Sequence, residues 1–214
     1  MSTPSPGGRP TPPVVVEVWG DAAMFTRPEA KTERQTYPVM TPSAAVGILE
    51  SIFWKPEFTW RVEQIEVLAP IVEGTLRRNE TSQVVSLASA VSGARVDTAA
   101  NRTQRAATFL KDVRYRIHAQ VELRPHARDP VAKYRDQFRR RVERGACFTQ
   151  PYLGTKEFVA MFGPPSERSP IQVSGDLGVM VHSALHSPGK LTRWTYFTAR
   201  LDEGTLHVPA EGIG

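Results

Sequence analysis

Cysteine is almost absent: Cys147 stands alone among 214 residues. One thiol excludes an intramolecular disulfide framework and a cysteine-based zinc site. Long apolar runs are missing too, and none approaches the ~18 residues that a membrane-crossing helix needs. There is no Gly-rich phosphate loop, nucleophile elbow or GxGxxG fingerprint, so ATPase, hydrolase-fold and dinucleotide-binding functions have no support. His182 and His186 are four apart, but residues 179–181 read as strand, where that spacing does not bring two ligands together. No metal and no cofactor are therefore expected. After Met1, residues up to 13 are Ser, Thr, Pro and Gly with one Arg, lacking the apolar segment of a signal peptide. They read as a disordered tail. The chain is expected to be soluble and cytoplasmic.

What is present is positive charge. Lys and Arg number 27 against 22 Asp and Glu, a net charge of +5 and an isoelectric point near 9.6. That balance favours a polyanion partner without requiring one. The length suits one good core, or one core with a small appendage. Residues 19–56 carry the densest signal: a basic, Pro-interrupted loop with Arg27, Lys31, Arg34 and Tyr37 runs into a capped helix. Thr41 is a natural N-cap and Pro42 suits the first helical position. Ala45, Ile48, Leu49 and Ile52 then form one apolar face at helical spacing.

The remaining periodicities predict a strand at 14–19, the helix at about 42–54, and a strand at 58–71 whose alternation slips at Glu63-Gln64, the mark of a bulge. From 73 to 103 the pattern dissolves into Ser, Thr, Ala, Asn and Gly, a long inserted loop with Arg77 and Arg78 at its root. Residues 111–123 are the clearest strand. A second helix starts from a cap at Asp129, with Pro130 at its first position, and ends before Gly145. Val131, Tyr134, Phe138 and Val142 form its buried stripe, and Arg139 and Arg140 belong to a strongly basic exposed side. A further strand is expected at 158–162. The order strand–helix–strand–strand–helix–strand is that of an α+β, ferredoxin-like (RRM-like) domain, spanning 14–163. Residues 164–214 read as an appended antiparallel β unit, with strands at 177–182, 194–201 and 205–208 and a turn at Asp202-Glu203-Gly204.

In the 111–123 strand, Arg114, Arg116, His118 and Gln120 alternate with the apolar positions. Any half-exposed strand is polar on one side, but a face cationic along most of its length suits phosphates or unpaired bases. A lone strand histidine is more often a hydrogen-bonded surface residue than a catalyst. Imidazole is nonetheless the side chain that ordinarily exchanges protons near neutrality. RNA supplies its own nucleophile, the 2′-OH, so a base, an acid and positive charge suffice to cut it without a metal. His118, with Lys111 and Arg116 supplying charge, is the candidate set.

The wording of several runs resembles a known family. FTRPE-x-K-x-ER at 25–34, YPV-x-TPSAA-x-GILE-x-I-x-WKP at 37–56, RRNE at 77–80 and QRAAT at 104–108 are similar to the Cas-five group of CRISPR-associated proteins in its subtype I-C form. Weaker matches at Gln150-Pro151, Leu153-Gly154 and Glu157-Phe158 extend the resemblance over roughly 14–208. It implies the same two-part fold and an endoribonuclease that cuts the CRISPR repeat of precursor guide RNA by metal-independent 2′-OH attack, leaving a 2′,3′-cyclic phosphate. It also implies retention of the 5′ handle within a surveillance complex, beside a repeated backbone subunit and a large subunit. By resemblance Arg27, Lys31, Arg34, Tyr37, Arg77, Arg78 and Arg105 would hold RNA, with Arg114, Gln120, Arg139 and Arg140. Active relatives carry Tyr or His just before the WKP motif, and a Lys-Ala-His or similar triplet on the strand after Lys-Asp-Val. This chain has Phe53 and His118-Ala119-Gln120 there. Phe53 has no proton to give and the Gln120 amide does not titrate, so the alternative is a non-cleaving scaffold that binds the handle.

Overall fold

The computed structural model describes residues 12–214 apart from 31, 84, 94, 188 and 189, with backbone alone for 185–187 and 190–192. Lys31 and most of the expected N-terminal tail lie outside the described residues. Eight strands form one antiparallel sheet: β1 (Val14–Ala23), β2 (Phe58–Val67), β3 (Val72–Thr81), β4 (Arg102–Leu123), β5 (Met161–Gly163), β6 (Gly175–Ser187), β7 (Lys190–Asp202) and β8 (Thr205–His207). Their order is β5-β1-β4-β2-β8-β7-β6, with β3 also paired to β4. The helices are α1 (Pro42–Ile52), α2 (Leu87–Val91) and α3 (Val131–Glu143).

The core lies between one sheet face and α1 with α3. β4 buries Val113, Tyr115, Ile117, Ala119 and Val121 in strict alternation, which is what a strand covered on one side requires. α1 begins where expected: Thr41 Oγ1 accepts the Ala44 N–H at 3.2 Å, satisfying one of the helix's first unpaired donors. Its Ala45, Ile48, Leu49 and Ile52 are buried. α3 contributes Tyr134, Phe138 and Val142. Between them stands an aromatic stack, with Trp60 and Phe138 at 4.8 Å and Phe58 and Tyr134 at 5.1 Å. The Trp60 indole N–H donates to the Phe53 carbonyl at 3.0 Å, so the end of α1 is fixed to β2.

The slip at Glu63-Gln64 is a bulge: the β2–β4 register shifts between Val62 and Gln64. Before it, Phe58, Trp60 and Val62 face the core; after it, Ile65 and Val67 do. The shift is what carries Gln64 and Glu66 onto the sheet's polar face, opposite His118 and Arg116.

Several expectations need correction. The region 73–103 is not a loop. β3 pairs with the first half of β4 from Val72↔Lys111 to Thr81↔Arg102, and α2 sits at the tip of this two-stranded arm. Beyond its root, where Ala107 and Leu110 are buried, the arm is half-buried at most, and no residue of β3 is fully buried; a ribbon so exposed has no apolar alternation to read. The 111–123 strand is accordingly 22 residues long. At α3 the N-cap is Pro130 with no side-chain cap, and Asp129 instead accepts from Lys133 Nζ at 2.8 Å. The strand expected at 158–162 reduces to Met161–Gly163. The C-terminal strands are 13 residues each in β6 and β7. β8 pairs with β2 through Gln64↔His207, Ile65↔Leu206 and Glu66↔Thr205, so the sheet is continuous into the C-terminal part. At the 202–204 turn Glu203 (φ 44°) and Gly204 (φ 76°) are both left-handed, as the tight primed hairpin turns require. No helix among the described residues is long and apolar enough to cross a membrane.

Phe138 is fully buried against Trp60. Phe138→Ala is expected to cost about 3–5 kcal/mol, read as a lowered urea midpoint with an unchanged denaturant slope.

Candidate nucleic-acid interface

On the sheet face away from the helices, β4 presents Arg114, Arg116, His118 and Gln120 as expected, but the face is not cationic. Glu17 on β1, 1% exposed, pairs with Arg114 and lies 3.6 Å from Arg116 Nη2. Glu66 accepts from Arg116 Nη1 at 2.6 Å and lies 2.9 Å from His118 Nε2. Gln120 donates to Glu63 at 3.3 Å, and Arg61 pairs with both Glu63 and Glu122. Three guanidiniums thus meet four carboxylates. The cationic expectation fails because the strands flanking β4 carry the counter-charges: register sets Glu17 and Glu66 directly opposite Arg116 from either side.

The chain after β5 then crosses this face. Ser166 donates its backbone N–H (2.9 Å) and hydroxyl (2.7 Å) to Glu17 Oε2. Arg116 Nη2 donates to the carbonyls of Ser166 and Arg168, both at 2.8 Å. The Ile171 N–H reaches the Val67 carbonyl at 2.9 Å. Residues 164–171 are therefore a strap over this face. Burial opposes ionisation of Glu17, but the Ser166 hydrogen bonds and the Arg114 guanidinium outweigh it and hold the carboxyl below its ordinary value.

The expected catalytic residues do not all meet. His118 and Arg116 share Glu66, but Lys111 lies seven residues along β4, roughly 20 Å away at strand rise. Its side chain rests over Gly74, where an added Cβ would come within 2.6 Å of Lys111 Cε. Phe53 is buried against Phe58 at 5.5 Å on the helix-covered side, while Gln120 is on the polar side. The two positions at which the chain departs from the active pattern are therefore separated by the sheet.

The signature loop builds a second feature. Residues 25–30 run back against 32–37, with Tyr37 N–H to Phe25 O at 2.8 Å and Arg27 N–H to Gln35 O at 2.9 Å. They then dock on the arm's root, where the Thr108 N–H donates to Arg34 O at 2.9 Å. A cavity of about 530 Å³ lies between this loop, one side of α1 and the β6–β7 hairpin. Arg27, Arg34 and Tyr37 line it, with Gly47, Tyr152 and Trp194. Arg27 stacks on the Tyr37 ring at 4.4 Å. Burial and the nearby Glu29 raise the pKa of Tyr37, so its hydroxyl stays protonated. Tyr152, Gly154, Val181 and Trp194 were not foreseen as walls, being distant in sequence. Gly154 does leave a signal: with φ +87°, an added Cβ would sit 2.0 Å from the Met24 carbonyl oxygen. A glycine is needed for that loop to close under the signature.

On the arm, Arg78 and Arg105 lie opposite each other. Both approach Glu80, at 4.0 and 3.3 Å, while Arg77 is one residue off and so on the other face of the ribbon. Arg139 and Arg140 are exposed on α3, on the helix side of the sheet. The expected RNA-holding residues are thus distributed among cavity, arm, polar face and α3. No group of three or more metal-ligating side chains occurs among the described residues.

Comparison with known proteins decides the family. The model of the CRISPR-associated Cas5d family matches residues 14–209. The chain belongs to the Cas5d family. It is 43% identical, over 92% of its length and 91% of the relative's, to the CRISPR pre-crRNA endoribonuclease Cas5d of Thermus thermophilus. It is 40% identical to the protein of the same name from Mannheimia succiniciproducens, over 91% of this chain and 93% of that one. A chain of a solved CRISPR RNA-guided surveillance complex shares the Cas5d fold at a TM-score of 0.58, 16% identity, and coverage of 94% and 93%.

Glu17 yields a pH prediction. Because its folded value is depressed, its contribution is complete above the unfolded carboxylate range, about pH 4.3. It is lost as pH falls from there through the folded value. Glu17→Gln is expected to cost about 3 kcal/mol at pH 7, since it leaves Arg114 without its buried partner. The variant should also flatten the acid-side fall in melting temperature; an acid limb identical to wild type contradicts this account.

Proposed function

We propose that this chain binds the repeat of CRISPR precursor RNA, cuts it once by metal-independent attack of a 2′-OH, and keeps the 5′ handle as a subunit of the type I-C surveillance complex. The observation that carries this is the 43% identity over 92% of the chain to a pre-crRNA endoribonuclease. In the reaction the 2′-oxygen gives its proton to a base and bonds to the adjacent phosphorus. The P–O5′ bond breaks and the departing 5′ oxygen takes a proton from water. The products are a 2′,3′-cyclic phosphate and a 5′-hydroxyl.

His118, one-fifth exposed and beside Glu66, is the group we assign as base. Arg27, Arg34 and Tyr37 at the cavity, with Lys31, Arg77, Arg78 and Arg105 nearby in sequence and on the arm, are assigned to the handle; cations there fix register without reading sequence. Lys111, at the arm's root, is better suited to a phosphate there than to chemistry at His118. Arg114 and Arg116 serve the polar face itself, and Arg139 and Arg140 would contact flanking RNA or a neighbouring subunit from the helix side. The core order β5-β1-β4-β2, all antiparallel with α1 and α3 on one face, supports a ferredoxin-like arrangement for 14–163, with 164–214 as its appended β unit. A cytoplasmic location follows from the RNA substrate.

A second reading has its own support. Neither Phe53 nor Gln120 can exchange a proton, which favours a handle-binding scaffold that no longer cuts. Labelled repeat RNA, incubated with the protein in EDTA beside a control carrying one 2′-deoxy nucleotide upstream of the cut, separates the two. A single cut abolished in the deoxy control is expected, slowed ~10²–10⁴-fold by His118→Ala. Tight binding with intact RNA would establish the scaffold instead. Replacing both Arg27 and Arg34 by Ala is expected to weaken binding and to shallow its salt dependence by about 0.7 per lost phosphate contact.

A further inference from the structure

Glu66 is 8% exposed, and both oxygens of its carboxylate are engaged. Oε1 lies 2.9 Å from His118 Nε2 and accepts from Gln64 Nε2 at 3.0 Å. Oε2 accepts from Arg116 Nη1 at 2.6 Å. Arg116 is itself held from behind, its Nη2 donating to the Ser166 and Arg168 carbonyls of the strap and lying 3.6 Å from Glu17. An ionised carboxylate only accepts hydrogen bonds. Nε2 must therefore carry the imidazole hydrogen, and in the neutral ring the lone pair is left on Nδ1. Among the described residues nothing hydrogen-bonds Nδ1.

We propose that Glu66 is the positioning residue of the cleavage reaction: clamped by Arg116 and the strap, it holds His118 in the Nε2–H tautomer with Nδ1 bare to take the 2′-OH proton. This rests on the assignment of His118 as base. The groups facing His118 are Gln64 and Glu66 from β2, Arg116 and Gln120 along β4, and Val15 opposite it on β1. Among the described residues Glu66 is the one carboxylate hydrogen-bonded to the ring. The proton moves from the 2′-oxygen to Nδ1 as the 2′O–P bond forms, and the resulting imidazolium is then stabilised by the carboxylate on Nε2. Arg116, expected to supply charge to the reaction, acts instead as the clamp.

Glu66→Gln tests this. The amide oxygen can still accept from Arg116, but its NH₂ then points at His118 and donates to Nε2, moving the ring hydrogen to Nδ1 and removing the base. The expected result is a single-turnover cleavage rate at least about a hundredfold lower with repeat-RNA affinity within about twofold of wild type. Imidazole ¹⁵N spectra should show the hydrogen of His118 on Nε2 in wild type and on Nδ1 in the variant. If His118→Ala is inert while Glu66→Gln cleaves at the wild-type rate, or keeps the Nε2–H tautomer, the role of Glu66 is overturned and that of His118 stands. If His118→Ala cleaves normally, or the wild type does not cleave, the assignment of His118 fails and this inference falls with it.

Discussion

Two buried carboxylates, Glu17 and Glu66, stand on the sheet face away from the helices, and most of the molecule's organisation follows from the need to neutralise them. A carboxylate taken from water persists only if paired and hydrogen-bonded. Here the partners are guanidiniums on the central strand between them, and Arg116 is shared by both. Such a cluster is a weak source of net stability, because desolvation offsets much of the attraction. What it supplies is specificity. A one-residue slip of β1 or β2 against β4 would drive these carboxylates into the aromatic core. The bulge at Val62/Gln64 is the local distortion that lets Glu66 reach its place.

The same cluster determines where the chain goes after β5. Ser166 and Arg168 are drawn across the polar face by Glu17 and Arg116, and the strap leads to Val67 and onward to β6. The C-terminal hairpin then continues the sheet beyond β8 and curls until β6 packs on α1. That curl makes the second wall of the cavity beside the signature loop. Ion cluster, strap and cavity are links in one chain of cause: the charges fix the strap, the strap delivers the hairpin, and the hairpin encloses Arg27 and Tyr37.

Sequence alone reached the parts whose neighbours are local. α1, its Thr41 cap, the β2 bulge and the alternation of β4 were all legible because they depend on contacts within a few residues. The arm was not, since a ribbon exposed along most of its length shows no apolar period. Nor was the charge balance of the polar face, because Glu17 is 97 residues from Arg114 in sequence. A glutamate within the otherwise apolar Val14-Val15-Val16-Glu17-Val18 run was the available hint: buried strand positions carry charge when a partner lies opposite. The signature loop stood out from the start, but its walls from Tyr152, Gly154, Val181, Ala184 and Trp194 are set by topology that no local pattern reports.

Where the RNA lies decides the account most directly. A repeat RNA bearing one photoreactive nucleotide immediately upstream of the cut, crosslinked to the protein and mapped by mass spectrometry, would report it. Adducts are expected on the β2–β4 polar face around Gln64, His118 and Gln120, or on the adjoining strap. Adducts confined to the exposed side of α3, around Arg139 and Arg140, would contradict it and move the chemistry to the other side of the sheet.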